Sequence, residues 1–311
     1  MGDAGSSVGR PALGDNVAGA LFMVGSMAGF AVNDALIKLA GAEMGLFQAI
    51  LIRGLGASLL ILTLAAMLGA FRLAPGRRDW AVLGVRSAAE VGATLCFLTA
   101  LFNMPIANAT AILQALPLAV TLAGALFLKE AVGWRRYAAI AVGFVGVLIV
   151  VRPGAEGFNS YALYAVAAVG FVVLRDLATK RLSPAVPSML AASLTAVVIT
   201  TVGGIGVLAS GEWAPVTPRA LGFLGGAALF IFFGYLFSIM TMRRGEIGFI
   251  APFRYTNLIW AILLGLFVFG EVPDAAMLIG SAIVVGTGLY TFHRERMRAR
   301  TLALATARRS G

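Results

Sequence analysis

The sequence predicts an all-helical membrane protein with ten transmembrane spans, and three observations carry that prediction. The 311-residue chain is 60% hydrophobic and only 12% charged, with a mean hydropathy of +0.93. Soluble domains carry roughly 25% charge, so lipid must be the solvent for much of this surface. The apolar residues fall in continuous runs of about twenty, the length at which a helix crosses hydrocarbon. A membrane barrel would instead alternate polar and apolar residues over about ten positions. The basic residues crowd into alternate connections between the runs, as multi-pass helical topology requires.

Residues 1–16 (MGDAGSSVGRPALGDN) are polar and glycine-rich and read as a disordered cytoplasmic segment. The first apolar run, 17–39, leads straight into another and has no leader-like cleavage site, so it is expected to remain as a span. Nine more runs follow at 45–69, 81–103, 107–128, 134–151, 160–181, 186–209, 219–242, 246–268 and 273–293. Of the 24 Lys and Arg residues, 17 lie on the side of the N-terminus and 3 (Lys38, Arg152, Arg219) on the other. The remaining 4, Arg53, Arg86, Arg175 and Arg254, lie inside spans. Both termini are therefore expected in the cytoplasm. The basic tail, 294–311, reads as a solvated extension that holds this topology.

The net charge of +10 is spread over loops and both termini, not over one face with interleaved aromatics. Nucleic acid is thus not an expected partner; the lipid bilayer is. One cysteine, Cys96, sits in an apolar run and one histidine, His293, at the edge of the last. Neither a disulfide framework nor a metal cluster can be built from them, and no cofactor is expected.

A faint repeat divides the spans into two halves, 17–154 and 155–293. Asp34-x3-Lys38 in the first span recurs as Asp176-x3-Lys180 in the sixth, and Gly124-x5-Glu130 recurs as Gly265-x5-Glu271. The offsets, 142 and 141, are nearly equal, and each match falls on the equivalent span of a five-span half. An odd number of spans per half inverts the second half in the membrane. Inverted repeats are a device by which transporters expose one central site to either side.

The segments ALPLAVTLAGALFLKE followed by WRRYAAIAVGFVGVLIVVRP, and APFRYTNLIWAILLGLFVFGE followed by AAMLIGSAIVVGTGLYTFHRE, carry a resemblance. They are similar to the EamA-type (RhaT/RarD-like) bacterial members of the drug/metabolite transporter superfamily. The resemblance covers about residues 17–296. It implies a ten-helix fold of two inverted five-helix repeats, an inner-membrane location and transport of a small molecule. The run Ala-Pro-Phe-Arg-Tyr-Thr (251–256) looks most like members handling riboflavin or S-adenosylmethionine.

Ionisable residues inside spans tend to face the bundle interior and mark substrate or ion paths. Counting about 1.5 Å per residue puts Glu90 in the third span and Arg254 in the ninth near the midplane. They are read as a pair sharing a substrate cavity, with a static ion pair as the structural alternative. Gln114 and Tyr255 occupy equivalent places at offset 141, and with Asn257 they are candidate substrate-binding residues. Asp34 and Arg53 share the outer third and suggest an outer gate, with Lys38 snorkelling nearby. Arg86, Arg175 and Asp176 suggest an inner gate. Proton coupling would run through Glu90, Asp34 or Asp176. Phe230, Phe233 and Phe237 share one helical face and could stack on a planar ring. Pro117 is expected to kink the fourth span, whereas Pro252 is expected to be tolerated near a helix start.

The functional expectation is a secondary transporter of a small polar or amphiphilic metabolite, with riboflavin-like or S-adenosylmethionine-like compounds first and amino acids or drugs next. An intramembrane enzyme is the alternative, but no Ser/His dyad, HExxH or acidic metal cluster is present. A channel would require rings of like groups from symmetric subunits. Without a GxxxxGK[ST] loop, ATP hydrolysis by this chain is not expected.

Overall fold

The computed structural model describes residues 13–72, 75–129, 132–154, 158–242 and 247–310. All of its regular elements are helical. They are α1 (Leu13–Gly41), α2 (Leu46–Met67), α3 (Arg77–Asn103), α4 (Ile106–Leu113), α5 (Leu116–Phe127) and α6 (Trp134–Val151), then α7 (Ala162–Thr179), α8 (Ser188–Ser210), α9 (Pro218–Met242), α10 (Ile247–Ile250), α11 (Thr256–Leu264) and α12 (Ala275–Ser310). Ten segments are long and apolar enough to span a bilayer. Residues 13–16, expected as part of a disordered segment, instead form the first turn of α1. The basic tail continues α12 as helix to Ser310.

Two spans are broken. The fourth consists of α4 and α5, separated by a turn at Gln114 and Ala115, with Pro117 in the first turn of α5. The ninth runs α10, a 3-10 segment (Ala251–Tyr255), α11 and a π segment (Gly265–Phe269). Proline lacks an N–H and its ring crowds the carbonyl four residues back, so the chain tightens to 3-10 around Pro252. That corrects the expectation that only Pro117 would disturb its span.

Helix packing has a regular pattern. α1 packs on α9, α2 on α8, α3 on α7, α4 on α11 and α6 on α12. In span numbers these are 1 with 8, 2 with 7, 3 with 6, 4 with 9 and 5 with 10. Exchanging spans 1–5 with 6–10 leaves this set of pairings unchanged, as two structurally equivalent halves require. Backbone detail follows the same offset. Lys129 (φ 55°) and Gly270 (φ 66°) are both left-handed residues closing their spans, 141 positions apart. Glu130, the sequence partner of Glu271, lies outside the described residues.

The helices meet closely where glycine leaves room. At the crossing of α6 and α12, a Cβ on Gly146 would lie 2.8 Å from the Gly280 carbonyl oxygen, and one on Gly280 2.6 Å from that of Gly146. Gly222 and Gly225 on α9, by contrast, have open space where a Cβ would sit. Large apolar side chains such as Leu59, Leu208 and Phe267 point outward, as they must when the surrounding solvent is hydrocarbon.

Candidate functional site

A cavity of about 360 Å³ opens between α2, α3, α7, α8 and α9. Arg53, Arg86, Glu90, Arg175 and Asp176 line it together. The sequence had divided these residues between a midplane site and two gates, and the structure gathers them around one space. Each lies in a middle or inner turn of its helix, so one hollow reaches them all. Tyr235 lines the cavity with Ile231 and Ser238. These three stand at i, i+4 and i+7 on α9 and so share one face.

Arg175 is the hub. Its guanidinium meets Glu90 Oε2 at 2.9 Å and Asp176 Oδ1 at 2.7 Å. The expected pairing of Glu90 with Arg254 is thus not formed. α3 begins at Arg77, four residues before the apolar run from which the position of Glu90 was counted. Glu90 therefore lies about 20 Å along its helix, deeper than Arg254 along the ninth span. Arg254 stands on the 3-10 segment, accessible yet within electrostatic reach of Asp176 and Arg175.

Arg86 donates from Nε to Thr179 Oγ1 (3.2 Å) and from one terminal nitrogen to the Ala191 carbonyl (3.3 Å) and to Thr195 Oγ1. Arg53 is buried and donates to Asn33 Oδ1 at 3.3 Å, and Asn33 in turn donates to Asp34 Oδ1 at 2.9 Å. Asp34 thereby backs Arg53 from behind the cavity wall. The Tyr235 ring lies within electrostatic reach of Glu90, Arg175, Arg53 and Arg86. Sequence reasoning missed it, although the three-residue face on α9 was the available signal.

Gln114, Tyr255 and Asn257 are not among the residues lining this cavity. Tyr255 packs against Phe292 with ring centroids 6.3 Å apart, and its hydroxyl fills the space left by Gly288 on α12. It borders a separate apolar groove with Pro252, Ile259 and Ser281. Gln114 Nε2 and Asn257 Oδ1 are buried without a hydrogen-bond partner among the described residues. The Phe230 and Phe233 side chains are exposed on the outside of the bundle, and Phe237 packs on Phe22. The phenylalanine face therefore does not meet the cavity.

One end of the bundle is tied shut. Lys38 Nζ on α1 meets Glu271 Oε1 at 2.7 Å and donates to the Met104 carbonyl at 2.7 Å. The Ile106 N–H, at the start of α4, donates to Glu271 Oε2 at 2.8 Å. Left-handed Gly270 ends the π segment and turns Glu271 into this cluster. Lys38 does not snorkel away; it also lies 5.0 Å from the Phe269 ring centroid. At the same end, Asp274 caps α12 by accepting from the Met277 N–H (2.8 Å) and pairs with Arg152. The Met277 N–H, and secondarily Arg152, hold the Asp274 carboxyl below its ordinary range.

A family comparison bears on what this arrangement serves, because residues 17–152 match the model of the EamA-like transporter family. Those residues belong to that family. Beyond the EamA domain, an S-adenosylmethionine uptake transporter of Rickettsia conorii is 27% identical over 87% of this chain and 91% of its own. A riboflavin transporter of Vibrio cholerae is 28% identical over 91% of this chain and 95% of its own. A pseudopaline exporter of Pseudomonas aeruginosa is 26% identical over 82% and 89%. One solved crystal structure covers 90% of this chain and 99% of its own with a TM-score of 0.57 at 19% identity, a likeness of fold alone. With its ten apolar spans and the EamA domain, the chain is a multi-pass inner-membrane protein.

Proposed function

We propose that this protein moves a small polar or amphiphilic metabolite across the inner membrane by alternating access, without converting it chemically. The carrying observation is a charged cavity between packed spans while the far end of the bundle is tied by Lys38 and Glu271. With the termini placed in the cytoplasm by the distribution of Lys and Arg, the arrangement reads as inward-facing. The halves 17–154 and 155–293 would then rock against each other around the cavity. Glu90, Arg175, Arg86 and Arg53 contact the substrate, and Asp34 and Asp176 bias the gates or couple a proton. S-adenosylmethionine and riboflavin are the first candidates, because relatives named for their transport match most of the chain. Arg254, within electrostatic reach of the lining residues Asp176 and Arg175, adds to the field the substrate meets.

Counterflow of labelled S-adenosylmethionine, riboflavin and amino acids into proteoliposomes, with and without a pH gradient, tests the reading. Saturable exchange of at least one is expected. If none of them exchanges, the transporter reading fails.

A further inference from the structure

The charges around the cavity do not balance, and the imbalance is located. Among the lining residues there are three guanidinium groups, Arg53, Arg86 and Arg175, against two carboxylates, Glu90 and Asp176. Both carboxylates are taken by Arg175. Asp34, behind the wall, serves Arg53 through Asn33. Arg86 is left with neutral partners only: the Thr179 and Thr195 hydroxyls and the Ala191 carbonyl. Among the described residues no carboxylate forms an ion pair with it, so three oxygens hold its position without cancelling its charge. Arg254, exposed on the 3-10 segment, likewise forms neither a hydrogen bond nor an ion pair among the described residues, and it lies within electrostatic reach of Asp176 and Arg175.

A guanidinium presents five N–H donors. Arg86 spends its Nε and one terminal nitrogen on the protein, and its second terminal nitrogen has no protein partner. An uncompensated cation at membrane depth is costly unless an anion meets it. The planar guanidinium suits carboxylate or phosphate. The cavity is of metabolite size. Tyr235 supplies an aromatic wall close to the same charges.

We infer that the cavity selects substrates bearing an anionic group, carboxylate or phosphate, which S-adenosylmethionine carries and riboflavin lacks, and that Arg86 is the residue that receives it, with the exposed Arg254 adding to the positive field that draws the anion in. This deepens the transporter reading and rests on it. An ammonium group gains less here, because it must displace Arg175 from Glu90 and Asp176.

The test is equilibrium binding to the purified full-length protein in detergent, using two pairs of probes. Riboflavin is compared with riboflavin 5′-phosphate, and adenosine with adenosine 5′-carboxylate, which carries a carboxylate and no ammonium. The phosphate arm and the carboxylate arm distinguish the two sources of anion. At least one anionic member is expected to bind about tenfold or more tighter than its neutral partner, as a charge-assisted hydrogen bond implies. In Arg86→Gln that preference should fall to within about threefold, and Arg86→Lys should retain part of it. Should Arg86→Gln fail to fold, Arg254→Gln, whose guanidinium braces nothing, is expected to reduce the preference by a smaller factor. Equal or tighter binding of both neutral members, or full preference persisting in the Arg86→Gln or Arg254→Gln protein, overturns the inference. Counterflow is scored separately: exchange without an anion preference overturns this inference and leaves the transporter reading standing.

Discussion

Lys38 and Glu271 stand 233 positions apart in the chain and meet at 2.7 Å, tying α1 to the end of the ninth span. Their side chains are only 12% and 20% accessible. Glu271 also accepts the first free N–H of α4, and Lys38 satisfies the Met104 carbonyl. Three spans are thereby joined by four polar groups.

Removing one partner strands the other in a poorly hydrated place. Lys38→Met is expected to destabilise this closed end by about 3 kcal/mol, the low end for a broken buried pair. A cysteine at Met44, buried at the same end, reports on opening in a Cys96→Ala background. Lys38→Met should raise its labelling by an impermeant maleimide about tenfold or more, which about 1.4 kcal/mol suffices to produce. Unchanged labelling would mean the ion pair is not what holds that end shut.

Arg175 separates two carboxylates. Arg175→Gln leaves Glu90 and Asp176 facing each other across the cavity, at a cost of about 3 kcal/mol in unfolding free energy. Adding Glu90→Gln should restore a large part of that. A double-mutant cycle by thermal unfolding in detergent measures the coupling. A coupling below about 0.5 kcal/mol would refute the hub role.

The pH response of Asp274 can be given a sign. Its carboxyl is held below the ordinary value of 3.8, first by the Met277 N–H and then by Arg152. A depressed carboxylate contributes stability above its unfolded value and loses it as pH falls through the folded one. Because the side chain is 52% accessible, the contribution is about 1 kcal/mol or less. The Tm gap between the native chain and Asp274→Asn should be largest at neutral pH and close below about pH 4. A gap independent of pH would show that neither the Met277 N–H nor Arg152 holds the carboxylate in its charged form.

Close helix approach makes a paired prediction. A methyl on Gly280 would fall 2.6 Å from the Gly146 carbonyl oxygen, a backbone atom that cannot swing aside. Gly280→Ala should therefore cost about 1–3 kcal/mol. Gly222→Ala meets nothing within 4 Å and should be neutral or mildly stabilising through helix propensity. Similar Tm values for the two variants would contradict the tight crossing of α6 and α12.

The ten spans were legible because an apolar run of twenty residues has few options in lipid other than a helix. The repeat read from Asp34 and Asp176 has the same offset, within one residue, as the two left-handed residues Lys129 and Gly270. The partner of Glu90 was not. Depth along a helix can be counted from a sequence, but azimuth cannot once the helix ends shift by a turn or the period changes from 3.6 to 3.0. Arg254 and Tyr255 stand on a 3-10 segment, so their directions could not be taken from an α-helical wheel. Tyr255 consequently faces Gly288 and Phe292 rather than the cavity. The Lys38–Glu271 contact depends on a π segment and a left-handed glycine, and neither leaves a periodic trace in the sequence.

α12 is 36 residues long, about 54 Å at 1.5 Å per residue, whereas the hydrocarbon it crosses is about 30 Å thick. Capped at Asp274 and seated on α6, it continues as helix for about 24 Å past Arg294, where its apolar span ends. A fluorophore or spin label placed at its end is therefore held at a fixed standoff from the bundle. The movements of the tenth span could then be read as a change of distance, with little of the blur that a flexible tether would add.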